Sequence, residues 1–206
     1  VAAAICLAVR RLGAPVVGLK PFETGCDPLA KDAAALEAAA RSGLSLDLRC
    51  PHRYRLPLAP AVASERLGER RRPRLPAVAA SLRLAAGDRF ALVEAAGGLL
   101  VPVAGSRTIL DLAALLRLPV VLVARNGLGT LNHTALSVAA LRQRKIRIAA
   151  VVLSRGLQPP DPSQRDNAKW IRRLTGIAKV VELPRTSLPR AAELLRECLA
   201  LDRQVG

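Results

Sequence analysis

The strongest constraint on this chain is a set of short aliphatic runs that recur between longer stretches of helical period. The runs are Pro15 to Leu19, Phe90 to Val93 (FALV), Pro119 to Ala124 (PVVLVA), Ile146 to Leu153 (IRIAAVVL) and Ala178 to Leu183. Runs rich in β-branched residues, with little polar alternation, suit strands covered on both faces, and such strands are usually parallel and joined by crossover helices. Helical patterns fill the intervals: Val1 to Leu12, Asp27 to Arg41, Leu75 to Ala86, Thr108 to Arg117, Leu131 to Arg144, Ser163 to Thr175, and an amphipathic Leu188 to Leu201. The expected fold is α/β, a doubly wound and mainly parallel sheet with helices on both faces. Residues 1–206 are expected to form a single domain. Arg49 to Pro60, with three prolines, reads as a loop. Glu65 to Arg74, which holds Arg66, Arg70, Arg71, Arg72 and Arg74, reads as an exposed connection.

Composition narrows the function classes. Hydrophobic residues make up 51% of the chain, so it can bury a core. Aromatics are 2%, so that core is aliphatic and offers little on which bases could stack. The net charge of +16, from 32 basic and 16 acidic residues, attracts polyanions but also describes an arginine-coated surface. Nucleic acid is not expected as the main partner. Cys6, Cys26, Cys50 and Cys198 form no CxxC pair, so zinc and disulfides are not implied, and buried free thiols in a cytoplasmic protein are the expectation. No apolar run is long enough to span a membrane, no signal peptide is evident, and no membrane partner is expected. The chain has no methionine, and Val1 to Leu12 reads as a helix already under way without a cap. The expectation is a fragment that begins just inside a helix.

Doubly wound sheets bind ligands at the carboxyl ends of their strands. After the first run comes Lys20-Pro21-Phe22-Glu23-Thr24-Gly25. A lysine there can hold an ammonium over a phosphate or carboxylate, Thr24 adds a hydroxyl, and Gly25 permits close backbone approach. An ordinary strand-end lysine and turn would read the same way. After FALV comes Glu94-Ala95-Ala96-Gly97-Gly98. A carboxylate at the tip of a buried strand suits Mg²⁺, and the paired glycines leave N–H groups free to face an anion. Asp32, near a helix start, is either a helix cap or a second metal-associated carboxylate. After PVVLVA comes Arg125-Asn126-Gly127-Leu128-Gly129-Thr130-Leu131-Asn132-His133, in which Thr130 can cap a helix whose free amides suit an anion. His133 reads as positional rather than catalytic.

Taken together, KPFETG, Asp32, VEAAGG and LGTLNHTALS resemble, in that order, the dethiobiotin synthetase family. The similarity runs from Val1 to about Ser187, and the segment YRLPLAPAVAS looks like the family's proline-containing substrate loop. The resemblance implies that 7,8-diaminopelargonate takes up CO₂ as a carbamate. ATP with Mg²⁺ then phosphorylates the carbamate, and the second amine closes a cyclic urea. It implies Lys20 as the catalytic lysine between carbamate and γ-phosphate, with Thr24 beside the carbamate. It further implies Asp32 and Glu94 as Mg²⁺-associated carboxylates, and Gly97 and Gly98 in the substrate loop. Leu131 and Asn132 would receive the substrate's tail carboxylate across a homodimer interface. Ser154, Pro184, Arg185 and Thr186 would lie on the nucleotide-base side.

Three departures from the family pattern stand out. The resemblance implies a P-loop NTPase-like fold, but its first strand and the phosphate-binding loop GxxxxGK[ST] are absent from the sequence, so the chain as it stands is expected to bind ATP poorly and not to turn over. Ala95 stands where the family has glycine. Ser154 stands where it usually has the asparagine that reads adenine. Other amidating ATPases of the same fold, a ParA- or MinD-like ATPase on DNA or membrane, and a degenerate non-catalytic homologue are the alternatives.

Overall fold

A computed structural model describes residues 1–69, 72–156 and 161–201. In chain order they form α1 (Ala2–Arg11), β1 (Val16–Leu19), β2 (Phe22–Thr24), α2 (Lys31–Ala40), α3 (Leu46–Arg49), β3 (His52–Tyr54), α4 (Pro60–Arg66), α5 (Leu75–Ala86) and β4 (Phe90–Val93). There follow β5 (Pro102–Ala104), β6 (Arg107–Thr108), α6 (Ile109–Leu116), β7 (Val120–Arg125), α7 (Thr130–Gln143), β8 (Ile148–Ser154), α8 (Gln164–Thr175), β9 (Val180–Leu183) and α9 (Leu188–Leu199).

The long strands pair in parallel. β1 runs beside β4, with Val16 opposite Phe90 and Leu19 opposite Val93. β7, β8 and β9 lie side by side, β8 in the middle. β2 and β3 form a parallel ribbon, and β5 with β6 an antiparallel hairpin. The pleat divides each long strand between two cores. Val16, Phe90, Leu92, Val121, Val152 and Val181 face a layer built from α1, α2 and α9, around Val9, Leu36 and Leu195. Val17, Leu19, Ala91 and Val93 face α5, and Leu122, Val151, Leu153 and Val180 face α8. Helices on both faces of parallel strands are the architecture expected from the aliphatic runs.

The expectation that FALV and PVVLVA are fully buried is corrected. All four residues of β4 are only half-buried, and Val123 of β7 is 49% exposed. Among the described residues β4 pairs only with β1 and β7 only with β8, so each strand keeps one edge without a strand neighbour. α1 packs beneath both half-sheets and joins them through a common core.

Other boundaries moved for local reasons. The helix expected from Asp27 begins at Lys31, because Asp27 and Pro28 form a bend ahead of it. The expected loop Arg49 to Pro60 contains β3, whose residues register with Phe22 to Thr24. Glu65 and Arg66 belong to α4, and Arg72 pairs with Glu65 at 3.3 Å. Arg70 and Arg71 lie outside the described residues. Thr130 is not the cap of α7: Gly129, with φ +87°, holds that position, and Thr130 is the first, buried helical residue. Among the described residues no helix is long and apolar enough to cross a membrane.

Gly18 sets the spacing of the first layer. Its φ is not positive, so the backbone alone would accept any residue. A Cβ there would stand 2.8 Å from Leu36 Cβ and 3.4 Å from Cys6 Sγ. Glycine is what lets α2 and α1 lie against β1. Gly18→Ala is expected to lower the unfolding free energy by roughly 1–3 kcal/mol through overpacking, read as a lower urea midpoint. An unchanged midpoint would show that the helices move apart without cost.

The start of α6 is fixed by a capping box. Thr108 Oγ1 accepts from the Asp111 N–H at 3.4 Å, and Asp111 Oδ2 accepts from the Thr108 N–H at 2.9 Å. The backbone hydrogen bond from Thr108 holds the Asp111 carboxyl below its ordinary pKa, aided by Arg144. A depressed folded-state pKa gives stability that is present above the unfolded value and lost as pH falls through the folded one. Asp111→Asn is therefore expected to cost about 1 kcal/mol at pH 7. The difference from wild type should shrink on acidification below about pH 4, as followed by denaturant melts across pH.

Candidate active site

The carboxyl ends of β1 and β4 bring three charges together. Lys20 follows β1 and is 4% exposed; Glu94 follows β4. Parallel pairing of Leu19 with Val93 puts the two side by side, and the Glu94 N–H donates to Leu19 O at 2.8 Å. Lys20 Nζ donates to Glu94 Oε1 at 2.9 Å and to the Ala95 carbonyl at 3.2 Å. It lies 2.8 Å from Asp32 Oδ2, at the start of α2. Burial opposes the ammonium's charge, but its hydrogen bonds to Asp32 and Glu94 outweigh it and raise the lysine pKa above its ordinary value. Lys20 is thus a fixed cation at neutral pH. The carboxylates are more open, with side chains 55% (Asp32) and 32% (Glu94) exposed, so a ligand can reach them.

Asp32 does not cap its own helix. Its side chain turns to Lys20, and the α2 start is closed instead by Glu23. Glu23 Oε1 accepts from the Asp32 N–H at 2.8 Å, and Oε2 accepts from the Ala33 N–H at 3.0 Å. Glu23 is a residue that sequence reasoning passed over. A glutamate between Phe22 and Thr24 carries no signal until β2 and α2 are known to meet.

Asp32 and Glu94 suit a small hard cation in donor type, since two carboxylates flank Lys20 Nζ and both side chains stay partly open to solvent. Mg²⁺ typically binds one or two carboxylates and completes its shell with phosphate oxygens and water. Among the described residues no group of three or more His, Cys, Asp or Glu side chains could hold a metal.

The other candidate residues lie outside this cluster. Thr24 ends β2 in register with Tyr54, and the Gly25 N–H donates to Leu56 O at 3.2 Å, so the proline-containing segment packs against the KPFETG strand. Phe22 stacks on His52 with ring centroids 5.0 Å apart, closing the same ribbon. Gly97 has φ +78° and Gly98 is open to any approach, both just beyond Glu94. Ala95 is exposed without a positive φ, so its methyl is accommodated without backbone strain.

Leu131 and Asn132 lie in the first turn of α7, and Asn132 and His133 are exposed. A cleft of about 200 Å³ runs along β7 and α7, lined by Val123, Arg125, Thr130, His133 and Ser137 among others. Ser154 ends β8 opposite Leu183, which puts Ser154 and the exposed Pro184, Arg185 and Thr186 at neighbouring strand ends. A buried amide network also went unread in the sequence. Asn126 Oδ1 accepts from Asn167 at 2.8 Å, the Asn126 carbonyl accepts from Gln164 at 3.1 Å, and the Asn126 N–H donates to Ser154 O at 2.9 Å. It ties the end of β7 to β8 and α8.

Parallel strands layered by helices, with a lysine and a glutamate at strand ends and an aspartate at the facing helix start, are the arrangement of a nucleotide-handling α/β enzyme domain. Residues 1–191 match the model of a family described as an AAA domain. The chain is 42% identical to the ATP-dependent dethiobiotin synthetase BioD of Anaeromyxobacter dehalogenans (strain 2CP-1), over 100% of this chain and 90% of that protein. The proteins of that name from Rhodococcus erythropolis and Haloferax mediterranei are 37% and 34% identical, over 89% and 88% of this chain and 81% and 76% of theirs. The chain belongs to the dethiobiotin synthetase family.

Burial pushes the Cys6 and Cys50 thiols up to about 12, with Glu94 and Glu23 respectively adding to the effect. Cys26 is half-buried and Cys198 exposed, which corrects the expectation that all four are buried. A disulfide-exchange reagent at pH 8 should modify Cys198 quickly, Cys26 more slowly, and Cys6 and Cys50 only after denaturation. Rapid native modification of Cys50 would mean that the contact between β2, β3 and α2 opens freely.

Proposed function

We propose that this protein carries out the reaction for which its relatives are named, the ATP-dependent synthesis of dethiobiotin from 7,8-diaminopelargonate and CO₂. Residues 1–206 are read as one domain built for it. One amine adds to CO₂, loses a proton and becomes a carbamate. A carbamate oxygen attacks the γ-phosphorus of ATP, ADP leaves, and a carbamic–phosphoric anhydride results. The second amine attacks the anhydride carbon, phosphate leaves with the C–O bonding pair, and loss of the amine proton completes the cyclic urea.

The observation that carries this reading is Lys20, held by Asp32 and Glu94 where two strands end. Carbamate and γ-phosphate are both anions, and two unit charges at 4 Å repel by about 4 kcal/mol at an effective dielectric constant of 20. A buried, permanently charged ammonium offsets that repulsion and is already desolvated. Asp32 and Glu94 would hold Mg²⁺; the chemistry the ion supplies when bound is neutralisation of phosphate charge. Thr24 donates its hydroxyl to the carbamate, and the N–H groups around Gly97 and Gly98 face the diamine end. The open first turn of α7, with Leu131 and Asn132, receives the tail carboxylate of a substrate held by a partner copy, so the active species is a homodimer. Ser154, Pro184, Arg185 and Thr186 border the nucleotide base.

The test uses the full-length protein with diaminopelargonate, bicarbonate and Mg²⁺-ATP, and dethiobiotin is read by mass spectrometry. Lys20→Ala should retain its fold by circular dichroism and lose about 10²–10³-fold in kcat, the usual cost of removing one stabilising donor from a reacting anion. Undiminished turnover in Lys20→Ala would remove the lysine from the mechanism. No product from the wild type would remove the reaction.

A further inference from the structure

We infer that Glu23 is a positioning residue, whose buried carboxylate caps α2 from outside and thereby fixes the backbone from which Asp32 faces Lys20. The inference rests on the reading of Asp32 as a metal-associated carboxylate. Glu23 is 5% exposed, and a buried carboxylate is costly unless its oxygens are satisfied. Both are. The N–H groups of Asp32 and Ala33 donate one to each oxygen, at 2.8 and 3.0 Å. They belong to the first turn of α2, where N–H groups lack intrahelical acceptors and the helix dipole favours an anion.

α2 has no cap of its own. Its N-cap residue is Ala30, which offers no side-chain acceptor. The acceptor for those free N–H groups ordinarily comes from the side chain of the N-cap residue. Here Glu23 takes that role, and the Asp32 carboxylate lies 2.8 Å from Lys20 Nζ instead. The bond to the Asp32 N–H also fixes the backbone from which that carboxylate projects. The stretch Lys20 to Thr24 therefore carries a cation for the site, a hydroxyl at the end of β2, and between them a carboxylate that serves the neighbouring helix and also accepts a weak hydrogen bond from the Cys50 thiol at 3.9 Å. Arg49 supports the arrangement, since its Nη1 donates to the Ala33 carbonyl at 2.7 Å.

Glutamine cannot substitute. Two donors converge on two carboxylate oxygens, whereas an amide offers one oxygen and turns an NH₂ against the other N–H. Aspartate keeps both acceptors but draws them back by one methylene.

The experiment measures Mn²⁺ binding by electron paramagnetic resonance, on full-length protein with a non-hydrolysable ATP analogue present. The variants are Glu23→Gln, Asp32→Asn, the double variant and Glu23→Asp, each checked by thermal melting. Glu23→Gln is expected to weaken Mn²⁺ by about 10-fold, the scale seen when a partner behind a metal ligand is lost. Because Glu23 acts through Asp32, the double variant should bind Mn²⁺ as Asp32→Asn does, with no further loss. A purely structural cap would lower the melting temperature and leave Mn²⁺ affinity unchanged, which overturns the inference. Losses that multiply in the double variant also overturn it. If Glu23→Gln fails to fold, Glu23→Asp decides: a folded variant with weakened Mn²⁺ binding supports the inference, and wild-type affinity overturns it. Should Asp32→Asn alone bind Mn²⁺ normally, the metal reading of Asp32 falls and this inference falls with it. Normal loss in Asp32→Asn with none in Glu23→Gln removes Glu23 alone.

Discussion

The rest of the site depends on a single buried ammonium that has to find its counter-charges. Lys20 stands at the end of a strand whose residues are otherwise aliphatic and buried. An unpaired ammonium there would lose its proton or unfold its surroundings. Two carboxylates prevent this, and they reach Lys20 by different routes. Glu94 arrives through the parallel register of β4 with β1, and Asp32 through the packing of α2 on β1. The same two contacts that build the first layer of the fold therefore build the charge cluster. Disturbing either costs the ammonium a partner.

This explains why the packing around β1 tolerates so little. Gly18 and Lys20 sit two residues apart and point to the same side of the strand. Gly18 admits α2 to within contact of the backbone, and Lys20 meets the Asp32 that α2 carries. Glu23 then closes the open end of α2. Three residues of one short segment thus place one helix: the glycine by absence, the glutamate by capping, the lysine by charge. None contributes a large apolar side chain. The apolar work falls to Leu36, Ala33 and Ala40 on the helix itself.

How much of this could be read from the sequence follows from the same physics. Aliphatic runs and helical periods are local signals, and they located the long strands and most helices within a few residues. Lys20, Asp32 and Glu94 stand in the motifs that carry the family resemblance, although the motifs could not say that Asp32 would turn to Lys20 while Glu23 closes the helix start. Short elements were not legible. β3 and α4 lie in a proline-rich stretch whose structure comes from partners far along the chain: the His52 N–H donates to the Pro21 carbonyl, and Tyr54 is buried against distant helices. Half-burial of β4 and β7 was also unreadable, since an aliphatic run does not report how many strand neighbours it has. Asn126, Gln164 and Asn167 look like loop and helix-surface residues in sequence, and only the meeting of β7, β8 and α8 makes them a buried network.

Charge operates on two scales in this molecule, with opposite signs. One ammonium and two carboxylates give the cluster a net charge of −1. Such a cluster does not by itself invite a nucleotide or a carboxylate substrate. The chain as a whole carries +16, and that field draws anions from a distance without selecting among them. At physiological ionic strength its reach ends at about 8 Å. Under the proposed assignments a divalent ion on Asp32 and Glu94 turns the local charge from −1 to +1. The anionic reactants then meet a positive site only where ion and lysine are both present. A surface built wholly of lysine and arginine could gather the same anions, but it could not hold two of them at a fixed separation. The carboxylates that hold Lys20 in place provide that fixed geometry.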